Sequence, residues 1–171
     1  MRKISSMLIL LMIVGLATSA FAIEMVGTWG VQIRKSALDG KETLLIVTAS
    51  DNGNIGIRCD GAFTDVFFSL DRNPYMGRDA QSMPFSVDGG RVQRISVMPT
   101  DDGERLVLSA KKNIADAVFI HDWLIDRERF VFQLSPHNRG PHEVVLDIRG
   151  LREAISPYRH LCPEFVFPPK P

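Results

Sequence analysis

Trp29, Val31 and Ile33 alternate with Gly30, Gln32 and Arg34, a period of two that predicts a strand with one buried face. Asp39-Gly40 follows as a hairpin-type turn. Residues 43–49 (TLLIVTA) are apolar and β-branched, and Asp51-Asn52-Gly53-Asn54 predicts the next reversal. Beyond it Ile55, Ile57 and Cys59 point one way while Gly56 and Arg58 point the other. Asp60-Gly61 leads into 62–70, where Val66, Phe68 and Leu70 share a face. Short alternating runs with turn signals every 8–12 residues describe an antiparallel meander.

The texture changes from Asp71 to Arg91, where Asn73-Pro74, Gly77, Pro84 and Gly89-Gly90 interrupt the chain. Residues 71–82 are expected as an exposed loop, with a short strand at 84–88. Exposed loops are frequent carriers of binding function. Residues 92–98 and 105–109 predict a strand pair across Thr100-Asp101-Asp102-Gly103. Around Lys111 the period lengthens. Ile114, Val118, His121 and Leu124 or Ile125 fall at helical spacing, which predicts a helix over 112–125. Phe130, Phe132 and Leu134 alternate again, His137–Pro141 turns, and Val144, Leu146 and Ile148 form another strand. Gly150 opens a helical piece with Leu151, Ala154 and Ile155 toward the sheet. Pro157 cannot sit inside that helix, so Ser156 is expected to cap a further short turn with Pro157 at its first position. The class is α+β: mainly antiparallel β-sheet, meander- or sandwich-like, with one mid-chain helix and a short C-terminal helix.

The N-terminus reads as an address. Arg2 and Lys3 precede an apolar run from Met7 to Ala17, and Ala20-Phe21-Ala22 places small residues before Ile23. Those are the three parts of a secretory signal peptide. Thr18 and Ser19 interrupt the run well before the ~20 apolar residues a spanning helix needs. The expected organisation is a cleaved leader at 1–22, a single β-rich domain at 23–162 and an extended Pro-rich tail at 163–171, with no membrane span after cleavage. The mature chain of about 150 residues is long enough to bury roughly two-thirds of its unfolded surface. The 171-residue chain carries 20 Lys+Arg and 20 Asp+Glu. Losing Arg2 and Lys3 leaves the mature domain slightly acidic, which argues against nucleic acid as a partner. Export also changes the reading of Cys59 and Cys162, the two cysteines present. An even count in an oxidising compartment suggests a disulfide, closing a loop of ~100 residues worth ~4.7 kcal/mol in the chain-entropy model. Two buried thiols are the alternative.

Candidate chemistry is sparse. No G-x-S-x-G nucleophile elbow is present. Ser135 lies two residues from His137 in a turn, where such neighbours are usually hydrated. Cys59 with His160 could form a nucleophile–base pair, in competition with the disulfide. His137 and His142 bracket the NRGP turn and His160-Leu161-Cys162 gives an H-x-C pair, two half-sites short of a zinc set. Asp65, Asp71, Asp79 and Asp88 lack the spacing of a calcium loop. A glycosidase needs two carboxylates across a cleft, which the sequence cannot pair. Asp126-Arg127-Glu128-Arg129 reads as a solvated face. Phe63, Phe67, Phe68, Phe130 and Phe132 read mostly as core. No cofactor is implied.

Ile57-Arg58-Cys59-Asp60-Gly61 on a strand, the helix–strand–turn–strand order of the C-terminal half, then I-R-G-L-x-E-A-I (148–155) and a closing cysteine resemble the small exported proteins related to VasI, accessory components of bacterial type VI secretion. The matching residues are Cys59, Gly150, Leu151, Ala154 and Cys162, across the last two-thirds of the mature chain. Pro157 and the Pro-rich tail depart from that pattern. The resemblance implies a non-enzymatic periplasmic accessory role and a Cys59–Cys162 pair. Two functions follow as expectations. One is an exported, periplasmic or secreted binding module for another protein or a cell-envelope component, with 71–82 as a contact surface. The other is a small secreted hydrolase.

Overall fold

The alternation over residues 29–70 becomes consecutive antiparallel strands in the computed structural model, which describes residues 23–109 and 122–162. They are β1 (Glu24–Val26), β2 (Trp29–Lys35), β3 (Glu42–Ser50), β4 (Gly53–Cys59) and β5 (Thr64–Leu70). After them come β6 (Gln81–Val87), β7 (Gln93–Pro99), β8 (Leu106–Ser109), β9 (Arg129–Leu134) and β10 (His142–Asp147). A short helix α1 (Leu151–Ile155) and a 3₁₀ turn (Ser156–Tyr158) close the described chain. The fold is mainly antiparallel sheet, as the alternation predicts. The expected helix over 112–125 lies largely outside the described residues.

All ten strands join one sheet in the order β1-β2-β3-β4-β5-β8-β7-β6-β9-β10. The first five are the predicted meander, β1 being an addition. Beyond β5 the chain reverses: β8 pairs with β5, and β6 turns its far edge to β9. The expected pair of strands across Thr100–Gly103 meets at only Met98↔Val107 and Pro99↔Leu106. β7 pairs mainly with β6, from Gln81↔Val97 to Phe85↔Gln93. It therefore serves as the corner at which the sheet folds over on itself.

That folding puts the buried faces of both halves against each other. Ile46, Ile57, Val66 and Leu108 from one half and Phe85, Phe130, Phe132, Val144 and Leu146 from the other are all buried. Phe68 on β5 meets Phe132 edge-on at 5.4 Å and Phe130 at 6.3 Å. Val144 of β10 packs so closely over Gly53 that a Cβ there would come within 2.9 Å of it.

The last strand is held by side chains from the first half. Thr28 Oγ1 and Thr48 Oγ1 donate to the Asp147 carbonyl at 3.0 and 3.2 Å, and Asn52 Nδ2 donates to that of Glu143 at 3.1 Å. The buried Trp29 indole N–H donates to the Ile148 carbonyl at 3.0 Å. Edge carbonyls are thus satisfied without a further strand, which blunts an edge otherwise open to aggregation.

Several boundaries differ from expectation. β6 begins at Gln81, inside the expected loop, and Met76 within that loop is buried. The loop is a packed connection exposed on one side. The helix at 151–155 buries Leu151, Ala154 and Ile155 as expected. Ser156 does not cap the next turn: its hydroxyl donates back to the Arg152 carbonyl at 2.7 Å, and it is itself the first residue of the 3₁₀ turn, with Pro157 second. No helix among the described residues is long and apolar enough to cross a membrane.

Candidate functional site

Strand register creates a surface that no single segment of sequence displays. On the face turned away from the core, one residue per strand lines up across seven strands. The row is Met25, Gly30, Val47, Gly56, Phe67, Val107 and Met98, each directly opposite the next. Side chains opposite one another in an antiparallel pair share a face. Every member is apolar or glycine. Met25 and Met98 at its two ends are 65% and 40% exposed.

Its glycines shape the row differently. A Cβ on Gly30 would press on Ile23 Cγ2 at 3.1 Å and meet Met25 Sδ at 3.6 Å, so these two side chains already cover that position. A Cβ on Gly56 would meet Val47 Cγ2 at an ordinary 3.6 Å. Gly56 is itself buried at the middle of the row.

Polar groups flank the row. On one side Arg58 pairs with its cross-strand partner Asp65, whose side chain is almost buried. On the other, Ser69 Oγ donates to Asn54 Oδ1 at 2.7 Å. The Arg58 and Arg105 guanidinium carbons lie 5.3 and 6.0 Å from the centroid of Phe67, within cation–π range. A groove of about 510 Å³ opens there, between Phe67, Arg58 and the turn Thr100–Arg105. Hydrogen bonds from the Thr100 hydroxyl and then the Glu104 backbone N–H hold the Asp102 carboxyl below the usual aspartate range. Asp102 in turn approaches Arg105 at 3.8 Å.

A second concavity, about 410 Å³, lies beyond the same turn. The 71–80 loop, Gln81 and the segment after β9 line it, bringing Tyr75, Arg78, Asp79, Ser135 and His137 together. Tyr75 meets His137 edge-on at 5.9 Å.

No protein-family model, curated protein or solved structure matches the chain.

The sequence candidates fall into three groups. Cys59 and Cys162 come together as a disulfide, with their Cα atoms 5.1 Å apart. That pairing removes the Cys59 thiol from any nucleophilic role. The Gly61 N–H donates to the Leu161 carbonyl at 2.8 Å, tying the C-terminal segment to the β4–β5 turn. Ser135, His137 and Asp79 share the second concavity, all solvent-exposed. The other candidates stay apart from these. His142 opens β10, His160 lies exposed in the last turn, Asp65 belongs to the ion pair with Arg58, and Asp71 and Asp88 sit in separate turns. No group of three or more His, Cys, Asp or Glu side chains among the described residues could hold a metal ion. Two features escaped the sequence. Phe67, counted with the core aromatics, is half-exposed on the outer face, and the β5 phase that buries Val66 and Phe68 was the signal for it. Tyr75 carried no periodic signal at all.

Proposed function

We propose that the protein is an exported, non-catalytic binding module of the cell envelope, periplasmic or secreted, whose working surface is the outer apolar row. One observation carries this reading: seven cross-strand partners, from Met25 to Met98, are apolar or glycine on the face that does not serve the core. An apolar centre edged by the exposed guanidinium groups of Arg58 and Arg105 has the anatomy of a protein interface, in which Phe, Met and Arg are enriched and polar groups form the rim. The occupant is a partner protein presenting an apolar ridge that lies along the row between Met25 and Met98. The leader sequence supports export, and the VasI resemblance supports an accessory role in secretion. A hydrolase would have to work at Ser135 and His137, where open solvent hydrates both groups and offers none of the shielding that activates a nucleophile.

The test is site-specific photo-crosslinking in the native host, with the probe at Met98 and, as a control, at exposed Arg139, followed by mass spectrometry of the adducts. One envelope protein captured from Met98 and absent from Arg139 is expected. Val47→Lys should abolish that capture while keeping the parent's melting curve. A lysine stem can lie along the surface with its charge in water. Equal capture from both positions, or capture indifferent to Val47→Lys, removes the row from the function.

A further inference from the structure

Tyr75 is an exposed aromatic held in a fixed position. It is 46% exposed, yet its backbone is locked on both sides. Its carbonyl accepts from the His137 N–H at 2.9 Å, and the next residue, Met76, donates to the Gly103 carbonyl at 2.7 Å. Met76 is buried, and its carbonyl accepts from Gln81 Nε2 at 2.5 Å. Behind the ring lies bare backbone: a Cβ on Gly103 would come within 2.4 Å of the ring carbons. Gly103 has φ +69, a conformation open to glycine at little cost. Two turns distant in sequence therefore converge on the ring, which also lines the concavity.

Most of the remaining side chains in the lining are polar. Arg78, Asp79, Gln81, Ser135 and His137 supply donors and acceptors, and the Arg78 and Asp79 charges cancel. A charge-balanced rim offers no net attraction to an anion or a cation. With Tyr75, Met76 and Ala80 the lining is about evenly apolar and polar, whereas a hydrophobic ligand needs a predominantly apolar pocket. A neutral saccharide matches both halves of the site. The negative face of an aromatic ring attracts the polarised C–H groups on the flat side of a sugar, and planar amide, carboxylate and guanidinium groups bond its hydroxyls in pairs. Because Tyr75 is already immobilised, stacking on it costs little ordering entropy.

We propose that this concavity binds a neutral saccharide, with Tyr75 as the stacking platform and Arg78, Asp79, Gln81 and His137 as the hydroxyl-bonding rim. The site is separate from the apolar row and stands independently of the partner proposed for that face.

Full-length protein, exported and purified, is titrated with N-acetylchitotriose and with maltotriose while ¹H–¹⁵N amide shifts are recorded. At least one of the two is expected to shift residues 75–81, Gly103 and 135–137 in a saturable way. Tyr75→Ala should weaken that binding about tenfold or more, while Tyr75→Phe keeps most of it because the ring carries the stacking. Trp29 fluorescence reports that each variant is folded. Val47→Lys, on the partner face, should leave sugar binding unchanged. Neither saccharide shifting these residues, or binding that survives Tyr75→Ala, overturns the proposal. So does an acidic peptide shifting the same residues more strongly than either sugar.

Discussion

Gly103 and Gly89 adopt nearly the same left-handed backbone, at φ +69 and +74, but their surroundings differ. An added Cβ meets nothing within 4 Å at Gly89 and runs into the Tyr75 ring at Gly103. Gly89→Ala should therefore cost only the conformational penalty, about 1 kcal/mol. Gly103→Ala should cost more, about 2–3 kcal/mol, because the ring must move as well. Thermal melts of the two variants separate these terms, at about 2–4 °C per kcal/mol for a domain of this size. Equal melting temperatures would mean that Tyr75 is not seated on Gly103. Asp147 makes a pH prediction at the same scale. Hydrogen bonds from the Arg149 side chain, then its backbone N–H, hold the Asp147 carboxyl below the usual aspartate range. A carboxylate with a lowered folded-state pKa contributes stability that is present above its unfolded pKa, about 3.9. That stability is lost as pH falls through the folded value. Asp147→Asn should melt slightly lower than the parent at neutral pH, with the gap closing below about pH 4. A constant gap across that range would show that the carboxylate's charge contributes nothing. The pair is largely exposed, so the effect is small.

Elements differ in how much of them local sequence determines. β2 to β5 were legible because each buries one face and turns tightly into the next, so a period of two and an intervening glycine or asparagine suffice. β7 and β8 were legible as strands, yet their pairing was not, because β7 finds its main partner in β6. The helix at 151–155 was read from Leu151, Ala154 and Ile155, but the role of Ser156 was not. A serine hydroxyl can cap forward or bond back to the fourth carbonyl before it, and the fold selects the second. The disulfide joins elements separated by 103 residues and pins the segment after α1 to the end of β4. Replacing both Cys59 and Cys162 with alanine should lower unfolding free energy by about 2–5 kcal/mol. Urea titration with and without a thiol reductant checks it: the parent's midpoint should fall with reductant and the variant's should not. A parent midpoint unmoved by full reduction would show that the crosslink adds no stability.

At the scale of the molecule, the leader reading and the fold meet at Ile23. Cleavage after Ala22 would leave a mature chain beginning beside β1, whose first residue is Glu24. Intact-mass measurement of the exported protein should give a chain starting at Ile23. A mass that retains residues 1–22 would contradict the leader and favour an uncleaved anchor. The two proposed surfaces flank one turn: the apolar row lies on the outer sheet face and the Tyr75 concavity beyond Thr100–Arg105. Gly103 lies between them, in the turn that supplies Arg105 to one and backs Tyr75 in the other.

Sequence by itself determined the β-rich class, the meander, the positions of most turns and the faces that Ile55, Ile57, Val66 and Phe68 bury. Those properties depend on neighbours within a few residues, since side-chain direction alternates along each strand. It also supplied two cysteines and a reason to pair them. Only the tertiary structure decided the strand order beyond β5 and the corner at β7. Only it aligned Met25 with Met98 across seven strands, and seated Tyr75 on a glycine 28 residues further along the chain. Each of these is a long-range pairing whose loop-closure cost is met by burial elsewhere in the core. No local pattern records them, because the residues that meet are chosen by the register of strands between them.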